Sequence, residues 1–177
     1  MRNAVLALSL LATTTTIAHA EPEHYVETGA MAGANAELIT LGGTVAAGLH
    51  VADSSFWLRA GLATGVGGQL FASGSGTFLQ LRAGAETRSC AWTGALCGMI
   101  GVDLGYQRTA FTGHDTLSFG EQVSTSDMTT GTRELVAIPR IGLDLGGQIR
   151  VRPSLELDLG PNGVDGANAT LAVAYQW

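Results

Sequence analysis

Apolar and charged residues alternate one by one from Leu135 to Leu159. Leu135, Ala137, Pro139, Ile141, Leu143 and Leu145 hold the odd positions of the first half, and Ile149, Val151, Pro153, Leu155, Leu157 and Leu159 those of the second. Between them stand Arg140, Asp144, Gln148, Arg150, Arg152, Glu156 and Asp158, with Glu134 just ahead. A period of two is that of a β-strand, whose successive side chains point to opposite faces. Gly146-Gly147 supplies a tight turn between the halves, so the stretch predicts a hairpin with one apolar and one charged face.

The same rhythm predicts six further strands. A first runs over Tyr25–Ala34 and turns at Asn35-Ala36-Glu37; a second, Leu38–Val51, carries Ile39, Leu41, Val45, Ala47, Leu49 and Val51 on one side. After Ala52-Asp53-Ser54-Ser55, a third (Phe56–Gly67) sets Phe56, Leu58, Ala60, Leu62 and Val66 against Trp57, Arg59, Gly61 and Gly65. The Gly/Ser-rich stretch Gly68–Gly76 reads as a loop. Strands over Thr77–Arg88 and Cys97–Arg108 follow, alternating in the same way. Thr109–Thr132, rich in Thr, Ser, Gly and Asp, is expected to be the longest loop, and Pro161–Gly166 the last. The eighth strand places Ala169, Leu171, Val173, Tyr175 and Trp177 on one face.

Residues directly opposite in an antiparallel pair share a face, which makes the register testable. Pairing Leu145 with Ile149 leaves a three-residue loop, a common hairpin type, and sets Asp144 opposite Arg150 with Arg140 diagonal to Glu156. Pairing Cys90 with Cys97 brings Arg82 diagonal to Asp103, and pairing Val51 with Phe56 sets His50 beside Trp57. Three hairpins thus agree on which face is polar.

Two partners for the apolar face compete. Turned inward, it makes a secreted calyx that carries a ligand; turned outward, it meets lipid. Charges of opposite sign fall together on the polar face, as they must if they face each other inside. Gly61, Gly65, Gly84, Gly101, Gly105 and Gly142 share that face and suit a crowded interior. Apolar positions recur for about ten residues per strand, the length a tilted strand needs to cross a bilayer. Short connections after the second and sixth strands, and longer ones after the third, fifth and seventh, match the turn and loop asymmetry of bacterial barrels. The expected fold is therefore all-β: an eight-stranded antiparallel up-and-down transmembrane barrel.

Composition narrows this further. The 46% apolar content is dispersed in alternation, with no run of about 18 residues that would make a spanning helix. Residues 1–20 read as a signal peptide: Arg2, the apolar run Ala4–Ala12, and a small-x-small site at Ala18-His19-Ala20. Removing the first 20 of 177 residues leaves a barrel domain of 157, residues 21–177. Its formal charge moves from −6 to −7 with the loss of Arg2, and the chain has no lysine, a balance that argues against nucleic acid. In an exported chain Cys90 and Cys97 read as a disulfide, and two thiols are too few for a zinc site. A lone histidine, His24, in the polar lead-in reads as no metal site.

An eight-stranded barrel is just wide enough to be filled by its own side chains. Arg59, Arg82, Arg140, Arg150 and Arg152 are assigned to the lumen against Glu86, Asp103, Asp144, Glu156 and Asp158. Arginine suits such a network because its fork bonds carboxylates through two nitrogens. A filled, salt-bridged lumen is the expectation, and a narrow or gated pore the competing one.

The leader, the eight alternating strands and the ending Ala172-Val173-Ala174-Tyr175-Gln176-Trp177 resemble small outer-membrane β-barrels of the OmpA/OmpX type. The likeness covers the mature chain and is architectural. It implies a bacterial outer-membrane location, with outer-membrane lipid and lipopolysaccharide as surroundings. It also implies that Tyr175 and Trp177 are read by the barrel-assembly machinery; most members end in Phe, and Trp177 departs from them. Seats in an interfacial aromatic belt are physically compatible with the same residues. Some outer-membrane barrels are enzymes acting on lipid A, and such a site needs a base beside a nucleophile near the outer leaflet. His50 lies at the opposite end, and His114, Asp115 and Ser118 match no known motif. The chain is expected to be no enzyme, to hold no cofactor, and to serve a structural or surface-interaction role, with Thr109–Thr132 a solvated cap or, as the competing reading, the segment that meets an extracellular partner.

Overall fold

The computed structural model describes residues 23–34, 38–52, 54–69, 74–91, 94–119 and 122–177; for residues 38, 69, 113–119 and 122–130 it describes the backbone alone. The leader, residues 1–20, and the turn at Asn35-Ala36-Glu37 lie outside these.

Eight strands account for nearly all of it: β1 (His24–Ala34), β2 (Leu38–His50), β3 (Phe56–Gln69), β4 (Gly74–Cys90), β5 (Leu96–Phe119), β6 (Gln122–Gly146), β7 (Ile149–Gly160) and β8 (Gly163–Gln176). Each pairs antiparallel with the next, and β1 pairs with β8 to close the barrel. Closure leaves no open edge around the wall, the only way a sheet satisfies its backbone in lipid. The first and last described residues meet where Glu23 and His24 donate backbone N–H groups to the Trp177 carbonyl at 3.1 and 3.2 Å.

Side-chain polarity is inverted relative to a water-soluble protein. Leu104 is 70% exposed and Leu135 73%, while Arg152 is 1% and Asp144 0% exposed. Leu143, Leu155 and Val173 point out and Arg150 points in. An apolar belt of this extent far exceeds the patches soluble monomers expose. The described residues include no helix long and apolar enough to cross a membrane; strands carry the belt instead.

Two hairpins take the expected register: Cys90 faces Cys97, and His50 faces Trp57. Val51 continues the second of these, its N–H donating to the Phe56 carbonyl at 2.9 Å. In the β6–β7 hairpin Leu145 pairs with Val151 rather than Ile149, a shift of two residues. A shift by an even number keeps every side chain on its face, so polarity alone did not choose between the two registers. Gly146, at φ +130°, faces Arg150 in the last pair before the turn.

The larger departures concern the loops. Thr109–Thr132 is no loop: β5 and β6 continue pairing from Thr109↔Thr132 to Phe119↔Gln122, with β4 alongside β5 as far as Gly113, leaving residues 120–121 as the connection. Polar composition suggested a loop, but β-branched threonine recurs without proline to break the pairing, and threonine favours strands. Likewise the described residues of Gly68–Gly76 are paired, with Gly67↔Gly76 and Gly68↔Ser75. Pro161-Asn162 alone turns β7 into β8, helped by Gly163 at φ +122°. The asymmetry between the two ends therefore lies in strand length, 24 and 25 residues for β5 and β6 against 11 for β1, and not in loop length.

At the end that holds the termini, Cys90 and Cys97 are joined in a disulfide across the β4–β5 ladder. Reduction, or replacement of both by serine, is expected to lower stability by about 2–3 kcal/mol, the chain-entropy value for so small a loop. The barrel should remain closed, because the flanking ladder from Gly74↔Gly113 to Ser89↔Gly98 holds the same strands. Denaturant titration of the refolded protein with and without reductant measures this; complete unfolding on reduction contradicts it.

Candidate functional site

The lumen is built by alternation. In each strand every second residue points inward, and near the axis these residues come from all sides at once. Small residues make room for long ones: a Cβ on Gly84 would lie 2.1 Å from the Val102 carbonyl oxygen and 2.4 Å from Asp103 Oδ1. Glycines at this level let arginines from the facing strands reach across.

Three tiers of ion pairs fill the space. At the end bearing the termini, Asp144 accepts from Arg150 Nε and lies 3.1 Å from Arg88 Nη1, while Arg150 also donates to the Gly94 carbonyl at 3.0 Å. In the middle, Glu86 accepts from Arg88 at 2.6 Å, from Arg152 at 2.5 Å and from Arg140. Glu27, from the opposite wall, accepts from Arg59 at 2.5 Å and from Arg152, and Arg59 bridges on to Asp103. Above these, Arg82 Nη1 bonds Glu156 Oε2 at 2.6 Å, and its Nε donates to Gln80 at 2.5 Å. Each carboxylate in the central tiers is paired with at least one guanidinium. That is the condition under which burying charge is tolerated.

Aromatic rings close the lower end. The Arg88 guanidinium lies 4.0 Å from the Trp57 ring centre and 4.6 Å from that of Tyr25, and Arg152 lies 4.6 Å from Tyr25 on its other approach. Tyr25 and Trp57 are 5.5 Å apart, within the range of favourable ring contacts. His50 packs on Trp57 at 4.9 Å and hydrogen-bonds the Ser54 carbonyl at 2.6 Å, so it serves the turn.

The structure brings together Arg59, Arg82, Glu86, Asp103, Arg140, Asp144, Arg150, Arg152 and Glu156, all buried. Their pairing differs from the diagonals read off the sequence. Asp103 does lie diagonal to Arg82, beside Gly84, yet its partner is Arg59 across the lumen. Arg140 stands directly opposite Glu156 on the ladder, but its side chain turns to Glu86. A filled barrel offers long side chains partners across the axis as well as along the wall, and ladder position alone does not choose between them.

Asp158 stands at the edge: it accepts from Asn168 at 2.9 Å and from Gln80, itself bonded to Arg82, at 3.5 Å, and it makes no ion pair with an arginine among the described residues. The ladder slips at Asp158/Leu159, so the residue sits at the mouth rather than in the network. Glu27 and Arg88, not anticipated, belong to the network's centre. Arg88 shares the parity of Arg82 and Glu86 within one strand, a signal that was present. Glu27 was hidden in a strand of small residues, Gly29 to Ala34, with little periodic contrast.

Above the network the barrel opens into a cavity of about 410 Å³, with Met31, Phe78 and Phe111 on its walls and Glu134, Asp158 and Asp165 as its charges. The carboxyl of Glu134 is raised above its ordinary range, first by burial and then by the carboxylates of Asp165 and Asp158. No group of three His, Cys, Asp or Glu arranged to hold a metal occurs among the described residues. The side chains of His114, Asp115 and Ser118 lie outside them. At the other end Tyr175 points outward and stacks on Trp177, ring centres 5.8 Å apart, and Trp177 also contacts His24 at 6.0 Å.

A closed ring of eight antiparallel strands, apolar outside and packed with ion pairs within, is the fold of the small eight-stranded outer-membrane β-barrels. Among solved structures, Neisserial surface protein A matches with a TM-score of 0.65 at 11% identity, over 88% of this chain and 97% of its own. Ail, the attachment invasion locus protein of Yersinia pestis, crystallised with the heparin analogue sucrose octasulfate, matches at 0.56 and 11% identity, over 89% and 100%. The backbone structure of Ail in a phospholipid bilayer nanodisc matches at 0.51, also 11% identical, over 89% and 100%. No family model matches the chain, and no curated protein matches it by sequence.

Proposed function

We propose that the protein is an integral barrel of a bacterial outer membrane, exported on residues 1–20 and cleaved before Glu21, with a plugged lumen. Its role is structural or one of surface interaction, exerted through the end that carries the long β5–β6 hairpin. One observation carries this reading: ionised side chains are turned inward onto each other while large apolar ones face out all round the wall. That arrangement exposes a continuous apolar belt, which is costly in water, and it suits a surround of acyl chains.

The termini and the disulfide turn then lie on the periplasmic side, and β5–β6 projects outward. The ladder beyond Gly113↔Met128 runs past the last described β4–β5 pair, Gly74↔Gly113. It is the element placed to meet an extracellular partner. Tyr175 and Trp177 are assigned to the inner interface and to recognition by the barrel-assembly machinery. Ail was crystallised with a polysulfated sugar; here the mouth presents Glu134, Asp158 and Asp165, a sign that repels polyanions and favours cations.

Membrane fractionation combined with planar-bilayer recording tests the reading. The protein is expected in the outer-membrane fraction and to show no steady single-channel openings, since three tiers of ion pairs obstruct the axis. Regular unitary currents from the folded protein would replace the plug with a pore. Recovery in the soluble periplasmic fraction would overturn the membrane assignment itself.

A further inference from the structure

The chain's only cationic side chains at neutral pH besides histidine are its nine arginines. Arg2 lies in the leader, and Arg59, Arg82, Arg88, Arg140, Arg150 and Arg152 each face a carboxylate in the lumen. The remaining two face each other. Arg108 and Arg133 are direct partners on the β5–β6 ladder, two residues beyond the pair Tyr106↔Leu135 where the apolar belt ends. Both side chains are exposed and, by alternation, share the outer face with Tyr106 and Leu135. Neither makes an ion pair or a side-chain hydrogen bond with any described residue.

Like charges directly opposite on a ladder destabilise it. A barrel that compensates every other arginine, yet sets its last two side by side at one height, has an anion-sized gap in its charge pattern. The wall beside them is recessed. Arg108 borders a shallow cavity of about 340 Å³, formed where Thr64, Thr77 and Ala110 are small next to Leu79. Two guanidinium forks above a recess on the membrane-facing wall are complementary to a phosphate joined to a bulky, partly apolar body.

We propose that Arg108 and Arg133 together form a binding site for the phosphate of a lipid in the surrounding leaflet, with part of the lipid's body seated in the recess beside Arg108. This rests on the reading that the β5–β6 end faces outward from an outer membrane. A lipid is favoured over a soluble anion because the site lies on the outside wall at the edge of the belt. The mouth itself carries three carboxylates that oppose soluble anions.

The test uses the refolded full barrel in phosphatidylcholine vesicles, with bis-phosphorylated lipid A, with dephosphorylated lipid A, or with inorganic phosphate in solution. Retention of each lipid through detergent extraction is read by native mass spectrometry, and the apparent Tm by loss of heat-modifiable mobility. Wild type is expected to retain phosphorylated lipid A and to gain Tm from it. The double variant R108Q/R133Q should retain it about ten-fold less or worse, the size expected for two lost charge-assisted contacts. Each single variant should fall between, and the conservative R108K/R133K should recover part of the binding.

Equal retention by wild type and R108Q/R133Q, both folded, overturns the site. Equal retention of dephosphorylated lipid A overturns the phosphate, and an equal gain in Tm from inorganic phosphate overturns the lipid. If wild type fails to enter vesicles at all, the membrane reading falls and the site with it. Entry with unselective lipid retention removes the site alone.

Discussion

Glu86→Leu is expected to destabilise the folded barrel by about 3–5 kcal/mol, the usual cost of removing one member of a buried charge network. Three guanidinium groups, those of Arg88, Arg140 and Arg152, converge on that carboxylate from different strands. Leucine fills a similar volume, so the loss reports uncompensated positive charge rather than a cavity. Glu86→Gln keeps a hydrogen-bond acceptor and should cost less than the leucine variant. Glu156→Leu, which removes the partner of Arg82, should also cost less, because fewer cations depend on it. Urea titration of the barrel refolded in vesicles, followed by tryptophan fluorescence, with Trp57 at the foot of the network, gives the ordering. A loss below about 1 kcal/mol, the level of an exposed ion pair, would mean that water reaches these charges and that the lumen is not filled.

The polarity of the wall was legible in the sequence and the pairing within it was not. Period-two alternation decides which face a residue occupies, so Arg140, Arg150, Arg152 and Glu156 could be placed inside before any coordinates. Alternation is blind to shifts by two, so it allows Leu145 beside Ile149 where Val151 stands. It is equally blind to reach. An arginine extends across the axis of a narrow barrel as easily as along its wall, so Arg59 finds Asp103 from a strand that is not its neighbour. Where alternation loses contrast, as among the small residues that follow Glu27 in β1, a central member of the network went unread. The extended hairpin escapes alternation for another reason: a strand pair without an apolar belt has no contrasting faces to advertise. Thr109–Thr132 therefore looks like a loop by composition while pairing as a ladder.

The belt makes the opposite demand from the lumen, and it separates lipid from water as the surroundings. Val102 lies midway along the outward row of β5, between Leu96 at one end and Tyr106 at the other, and is half-exposed. In a bilayer, Val102→Arg sets a guanidinium near the midplane, at an expected cost of about 2–4 kcal/mol. Leu96→Arg places the same charge at the edge, where the side chain reaches the headgroups and the cost should fall to about 0–1 kcal/mol. In a water-soluble barrel both would be ordinary surface substitutions, each within about 0.5 kcal/mol. Equilibrium unfolding of the two variants in the same vesicles gives the difference directly. A depth-dependent penalty is peculiar to a wall that faces hydrocarbon. Equal and small effects at Val102 and Leu96 would return the apolar face to water or to a protein partner, and the arginines inside would then have to be explained without a membrane.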